Sequence, residues 1–215
     1  MSKLKKDKIQ SVEFNYVIAK ERPCWIDDDF TLEKMRENEF ARIRVFFHDN
    51  APDQKASARA ITLEQYGWNN IEKLQEALLE NFEKCNRAIY TKYKGELNLK
   101  FAAVSLDKEN WYETTKEKIC LCTGGKKKIY SLFSHLRNVF AHSRFTIRNI
   151  EGETDFIFIF EDAYTRKWKN DKGIAQKEFD VSARMILKKT TLLKWIEIIE
   201  GGERAFARQV SLCEK

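Results

Sequence analysis

At 215 residues the chain has the length of one domain, and with 43% hydrophobic and 33% charged residues it is too apolar to be intrinsically disordered. Lys and Arg number 39 against 33 Asp and Glu, a net charge of +6 that suits a polyanion such as RNA without requiring one. No apolar run reaches the roughly 18 residues of a membrane span, no apolar signal core follows the basic start at Lys3, Lys5, Lys6 and Lys8, and five irregularly spaced cysteines do not make a disulfide framework. A reduced, cytoplasmic protein with no membrane association is the expectation.

In chain order, Val12, Phe14, Tyr16 and Ile18 alternate with a strand's period. Asp27-Asp28-Asp29 offers a cap for a helix over residues 31–44. Thr62-Leu63-Glu64-Gln65 matches a capping box. Ile71, Leu74, Leu78, Phe82, Cys85 and Ile89 recur every three or four residues and predict a long amphipathic helix over residues 69–93, with Gly95 as its stop. Residues 97–105 read as strand or helix, and residues 114–122 read as helical. Cys120-x-Cys122 lacks a second Cys or His pair at zinc spacing, so both are taken as small apolar residues. Thr123-Gly124-Gly125 breaks the chain, and Ile129, Leu132, Phe133, Leu136 and Phe140 form the apolar face of a helix over residues 127–142. Three strands follow, near residues 144–148, 156–160 and 178–185. Thr190 or Thr191 caps a last helix, which Gly201-Gly202 ends. This order predicts an α+β, mainly helical domain.

The chemically informative stretch is Leu136-Arg137-Asn138-Val139-Phe140-Ala141-His142. Helical spacing stacks Asn138 and His142 and sets Arg137 beside Asn138, a polar stripe at the end of a helix whose other faces are apolar. Histidine exchanges protons near neutrality, arginine matches phosphate oxygens in pairs, and asparagine both donates and accepts. RNA carries its own nucleophile, the 2′-hydroxyl, so an acid/base and a cation suffice to start transesterification without a metal or cofactor. On spacing alone, the same run also describes an ordinary helix end. Lys126, Lys127 and Lys128, just ahead of this helix, and Arg144 beyond it are candidate RNA-binding residues. His135 is expected to face away from Asn138 and His142, and His48 to lie in a polar loop.

The run from Leu136 to His142 resembles the R-x4–6-H signature of the HEPN superfamily, in its form with Asn after Arg and Ala before His. The tail, with Arg144 to Ile147, Phe156 to Phe160 and Leu192 to Ile196, resembles a branch with an appended small sheet and final helix. The resemblance covers about residues 60–200 and implies an HEPN-type helical bundle with a three-stranded antiparallel sheet and a final helix, the domain expected over residues 61–215. Residues 1–60 match nothing in it and are expected to be an N-terminal extension packed on the same domain. It also implies a homodimer, a metal-independent endoribonuclease of toxin or phage-defence type, and an antitoxin or nucleotidyltransferase-like partner. Arg137 then binds the phosphoryl group, His142 is the acid/base and Asn138 supports them. Glycine often follows the His in this pattern, and here the residue is Ser143. Glu72, Glu76 and Glu80 are candidates for an upstream acidic residue. A non-catalytic module binding RNA, a nucleotide or a protein, and a purely structural dimerisation domain, are the competing readings.

Overall fold

The computed structural model describes residues 37–53, 61–107, 111–150, 152, 154–169 and 175–213. The strand expected over residues 12–18 and the caps at residues 27–29 lie outside them. The chain begins with helix α1 (Glu37–Val45) and a π-helical turn, Phe46–Asn50. Helix α2 (Ile71–Gln75), a second π-helical turn (Glu76–Glu80) and helix α3 (Asn81–Cys85) run on without a break. Then come strand β1 (Arg87–Thr91), helix α4 (Leu97–Ala103), strand β2 (Lys118–Cys122) and helix α5 (Lys128–Ala141). Strands β3 (Phe145–Asn149), β4 (Phe156–Lys169) and β5 (Ala175–Lys188) precede helix α6 (Lys189–Cys213).

The strands form one five-stranded sheet in the order β1-β2-β5-β4-β3. β1 and β2 are parallel, joined across α4, and the other pairs are antiparallel. This corrects the expected three-stranded antiparallel sheet appended to a helical bundle. Two segments read as helical are strands. Ile119-Cys120-Leu121-Cys122 is apolar without a break because β2 is buried on both faces, and such a run carries no period to separate strand from helix. Ile89 falls in phase with Cys85 by coincidence. Asn86 ends the helix, and Ile89 pairs with Cys120 inside the sheet. Residues 97–105, left open from sequence, contain α4.

Each sheet face has its own core. Phe156, Phe158 and Phe160 of β4 meet α5 and α6, and Ile157 and Ile159 between them meet Phe101 of α4 and Trp111. Ile43, Phe46 and Phe47 belong to the α5 core and are almost wholly buried. Phe140 of α5 lies 5.0 Å from Phe145 and 5.5 Å from Phe160 between ring centres. Within the other layer a buried Glu161 bridges two arginines, Arg144 and Arg184, each at 3.0 Å, and Arg184 lies between the rings of Phe101 and Trp111. The capping box forms as read: Thr62 N–H donates to Gln65 Oε1 at 2.8 Å and Gln65 N–H to Thr62 Oγ1 at 3.4 Å, although it starts only a short 3₁₀ turn, Glu64–Tyr66. The helix that opens α6 breaks at Gly201-Gly202 as read, with Gly202 non-helical at φ 75°, and a second helical stretch follows this kink to Cys213.

Candidate functional site on helix α5

α5 is the element on which the sequence places its chemistry. Gly124 and Gly125, at φ 58° and 85°, turn the chain from β2 into it. Ile129, Leu132, Phe133, Leu136, Val139 and Phe140 are buried, which fixes the helix's rotation about its axis. His142 is its C-cap, and Ser143 adopts φ 51°. Arg144 N–H then donates to Val139 O at 2.8 Å and Ser143 N–H to Phe140 O at 3.4 Å, a Schellman closure built on a serine where glycine is usual.

The polar stripe splits. Arg137 reaches out of α5 to the segment after the first π-helical turn, donating to Asp53 Oδ2 at 2.8 Å and Ala51 O at 2.6 Å. Asn138 turns the other way, and its Nδ2 donates to Asp162 Oδ2 of β4 at 3.1 Å. His142 is exposed, with no side-chain hydrogen bond to any described residue. Within one chain Arg137 and Asn138 therefore reach to different elements.

A different set does converge. His135 lies one turn before Asn138 on the same face, contrary to the expectation that it faces away. Its Nδ1 is 2.6 Å from Asp162 Oδ2, and its Nε2 2.9 Å from Cys122 O. Ser182 Oγ donates to Asp162 as well, at 3.2 Å. The pairing of β4 with β5 steps from Asp162–Ala183 to Ala163–Val181, so Ser182 is the extra residue of a β-bulge. Bulges re-aim side chains, and this one turns Ser182 toward Asp162. Burial pushes the Asp162 carboxyl up, but the His135 ring, the Asn138 amide and the Ser182 hydroxyl together hold it below its usual value. Both His135 nitrogens face acceptors, a carboxylate and a carbonyl.

A cleft of about 250 Å³ opens on this group. Lys94, Thr123, Gly124, Lys126, Ser131 and Ser134 line it beside His135, Asn138, Asp162 and Ser182. Lys126 is the one sequence-predicted RNA-binding residue on that wall. Lys127 pairs with Glu72 at 2.5 Å, and Lys128 stands 4.7 Å over the Tyr90 ring. Arg144 is a buried ion-pair residue and presents no surface to a polyanion. Glu72 is thus a partner of Lys127, and Asp53 is the carboxylate that meets Arg137. His48 pairs with its neighbour Asp49 at 2.7 Å. Among the described residues no group of three or more His, Cys, Asp or Glu is arranged to hold a metal ion. Cys120 and Cys122 are free and buried, and burial pushes the Cys120 thiol up to about 12.

The spacing of His135 and Asn138, three residues apart, was the available signal for the convergent group. Asp162 and Ser182 had none, because a bulge leaves no mark in a strand's alternation. Among the described residues no helix is long and apolar enough to cross a membrane. The chain matches no family model, no curated protein and no solved structure.

Proposed function

We propose that the chain is a metal-independent endoribonuclease of toxin or phage-defence type, working from the C-terminal end of α5. One observation carries the reading: an exposed His142 caps the helix that holds Arg137, whose guanidinium is only partly covered by an acidic partner, Asp53. The sequence run they share, Arg-Asn-x-x-x-His, resembles the HEPN motif. The bundle that this resemblance implied is not part of the proposal.

In this reading the His142 imidazole removes the proton of an RNA 2′-hydroxyl. The freed oxygen attacks the neighbouring phosphorus, and the bond to the 5′-oxygen breaks, leaving a 2′,3′-cyclic phosphate. The departing 5′-oxygen takes a proton from a second acid. Arg137 exchanges Asp53 for the phosphoryl oxygens, which its planar fork fits equally well. Asp53 keeps the fork ordered until RNA arrives. Since Arg137 and Asn138 leave α5 in different directions, the proposed site is completed by the His142 of a second copy in a homodimer, which also supplies the acid. An antitoxin or nucleotidyltransferase-like partner would restrain such an activity. The expected location of such an enzyme is the cytoplasm.

A second reading, a module that binds RNA, a nucleotide or a protein without cutting, is favoured by the double engagement of Arg137 with Asp53 and Ala51. The two separate in one assay: purified protein with RNA in EDTA, beside H142A and R137A. Cleavage by the wild type alone, with cyclic-phosphate ends, supports the first. Binding without cleavage supports the second. Equal cleavage by all three proteins overturns the assignment of the site.

A further inference from the structure

We propose that the cleft between α5 and the sheet is a phosphoryl-binding site, separate from the cleavage chemistry assigned to Arg137 and His142. Its lining is the argument. Lys94 and Lys126 contribute two positive charges. The one carboxylate present, Asp162, accepts from His135, Asn138 and Ser182 through Oδ2. Two lysines and one aspartate leave the lining with a net positive charge.

Its donors suit the same ligand. The Ser134 hydroxyl has no hydrogen-bonding partner among the described residues and faces the opening from the middle of α5. Gly124 brings backbone to the rim, and a Cβ there would meet nothing within 4 Å, so the rim is open to an incoming group. α5 begins beside it, and Lys127 at its N-cap places no side chain on the first amide groups. The positive end of the helix dipole adds to the two lysines. Gly124 and Lys126 are exposed at the mouth. At about 250 Å³ the space is slightly below the roughly 300–1,000 Å³ of drug-sized sites. It takes one phosphoryl group with the sugar that carries it. A 5′-mononucleotide and one phosphodiester of a strand present the same chemistry.

The experiment is titration calorimetry on the full chain with adenosine 5′-monophosphate, with adenosine, and with a short single-stranded RNA protected by 2′-O-methylation. Wild type, K126E, S134D and the double variant R137A/H142A are compared, with circular dichroism confirming the fold of each. Saturable binding of one or both phosphorylated ligands, none of adenosine, a tenfold or greater weakening in K126E and S134D, and mononucleotide affinity unchanged in R137A/H142A is the expected result. RNA that displaces the mononucleotide identifies a strand phosphate as the ligand. A mononucleotide that binds while RNA does not identifies a free nucleotide. Adenosine binding as well as its monophosphate, neither phosphorylated ligand binding, or affinity unchanged in K126E overturns the proposal. Loss of mononucleotide binding in R137A/H142A would merge this cleft with the cleavage site and overturn the separation claimed here.

Discussion

Arg137 and Asn138 are neighbours in the chain, yet they hold carboxylates on two different elements: Arg137 bonds Asp53 and Asn138 bonds Asp162. Successive helical residues point about 100° apart, and burial of Leu136 and Val139 on either side prevents α5 from rotating to bring them together. The pair thereby locks α5 between the segment after α1 and the sheet.

The proposed cleavage makes His142 separable from this structural duty. Its ring is exposed, so His142→Ala is expected to leave the thermal midpoint within a degree or so and to lower RNA cleavage about 10²–10⁴-fold, the worth of a positioned acid/base. Arg137→Ala is expected to lower both, because it also unties Asp53 and Ala51, a partly exposed attachment worth about 1 kcal/mol. Melting curves and gel cleavage assays on the two variants read the difference. A destabilised His142→Ala with unaltered cleavage would assign His142 to the fold alone.

How much of this was legible follows from what each segment's pattern is able to encode. α5 was readable because its apolar residues face one core while its polar ones do not, so the period of a helix stands out. β2 was not, since both its faces are buried and its sequence is uniformly apolar. β1 was masked by Ile89 falling four residues after Cys85. At the site, Arg137, Asn138 and His142 were found as a string, but Asp53 and Asp162, which meet the first two, lie 84 and 24 residues from them, and Ser182, which meets Asp162, lies 20 residues from it. Contacts at that separation depend on the sheet's pairing and its bulge, neither of which is written in local periodicity. His135 was the avoidable miss, because three residues of helix return nearly to the same face.

His135 and Asp162 are each nearly buried, with side chains 11% and 7% exposed. Removing one partner leaves the other buried and uncompensated, which typically costs about 3–5 kcal/mol for a buried pair. Asp162→Ala is expected to fall in that range in urea unfolding and His135→Ala near its lower end. The double variant is expected to cost clearly less than the sum, since the second loss removes the stranded group. Additive costs would show that the two do not interact.

Ser143 offers a gain. A left-handed conformation costs a non-glycine residue roughly 1–2 kcal/mol, and glycine in the unfolded chain gives back roughly 0.4–1 kcal/mol of that advantage. Ser143→Gly is therefore expected to stabilise the protein by about 0.5–1 kcal/mol. A β-branched residue at φ 51° is expected to cost more than serine. Chemical denaturation of Ser143→Gly and Ser143→Val checks both signs, and a neutral Ser143→Gly would mean that the Schellman closure at the end of α5 carries no strain.

Gly202 is bound by two constraints at once. Its φ is 75°, and an added Cβ would stand 2.7 Å from Tyr66 O, a backbone atom with no room to yield. Gly201, next to it, would place a Cβ 3.6 Å from the Ala205 side chain, an ordinary contact. Gly202→Ala is expected to destabilise by about 2 kcal/mol or more, while Gly201→Ala is expected to be neutral or slightly stabilising because alanine is the better helix former. Comparable melting temperatures for the two variants would contradict the close approach of α6 to the turn at Tyr66.

The network around Asp162 also fixes how the fold responds to acid. Burial alone would raise this carboxyl, but His135, Asn138 and Ser182 outweigh it and hold the folded value below the ordinary aspartate value of about 3.9. A carboxyl whose value falls on folding binds fewer protons in the native state, so the stability it contributes is complete above the unfolded value and disappears as pH drops through the folded one. Denaturation midpoints measured from pH 6 down to pH 2 are expected to fall steeply below about pH 4 in the wild type. Asp162→Asn cannot titrate there. It is expected to start lower at pH 6 and to lose less on acidification, so that the two curves converge at low pH. Parallel curves would mean that Asp162 is not held ionised by its neighbours.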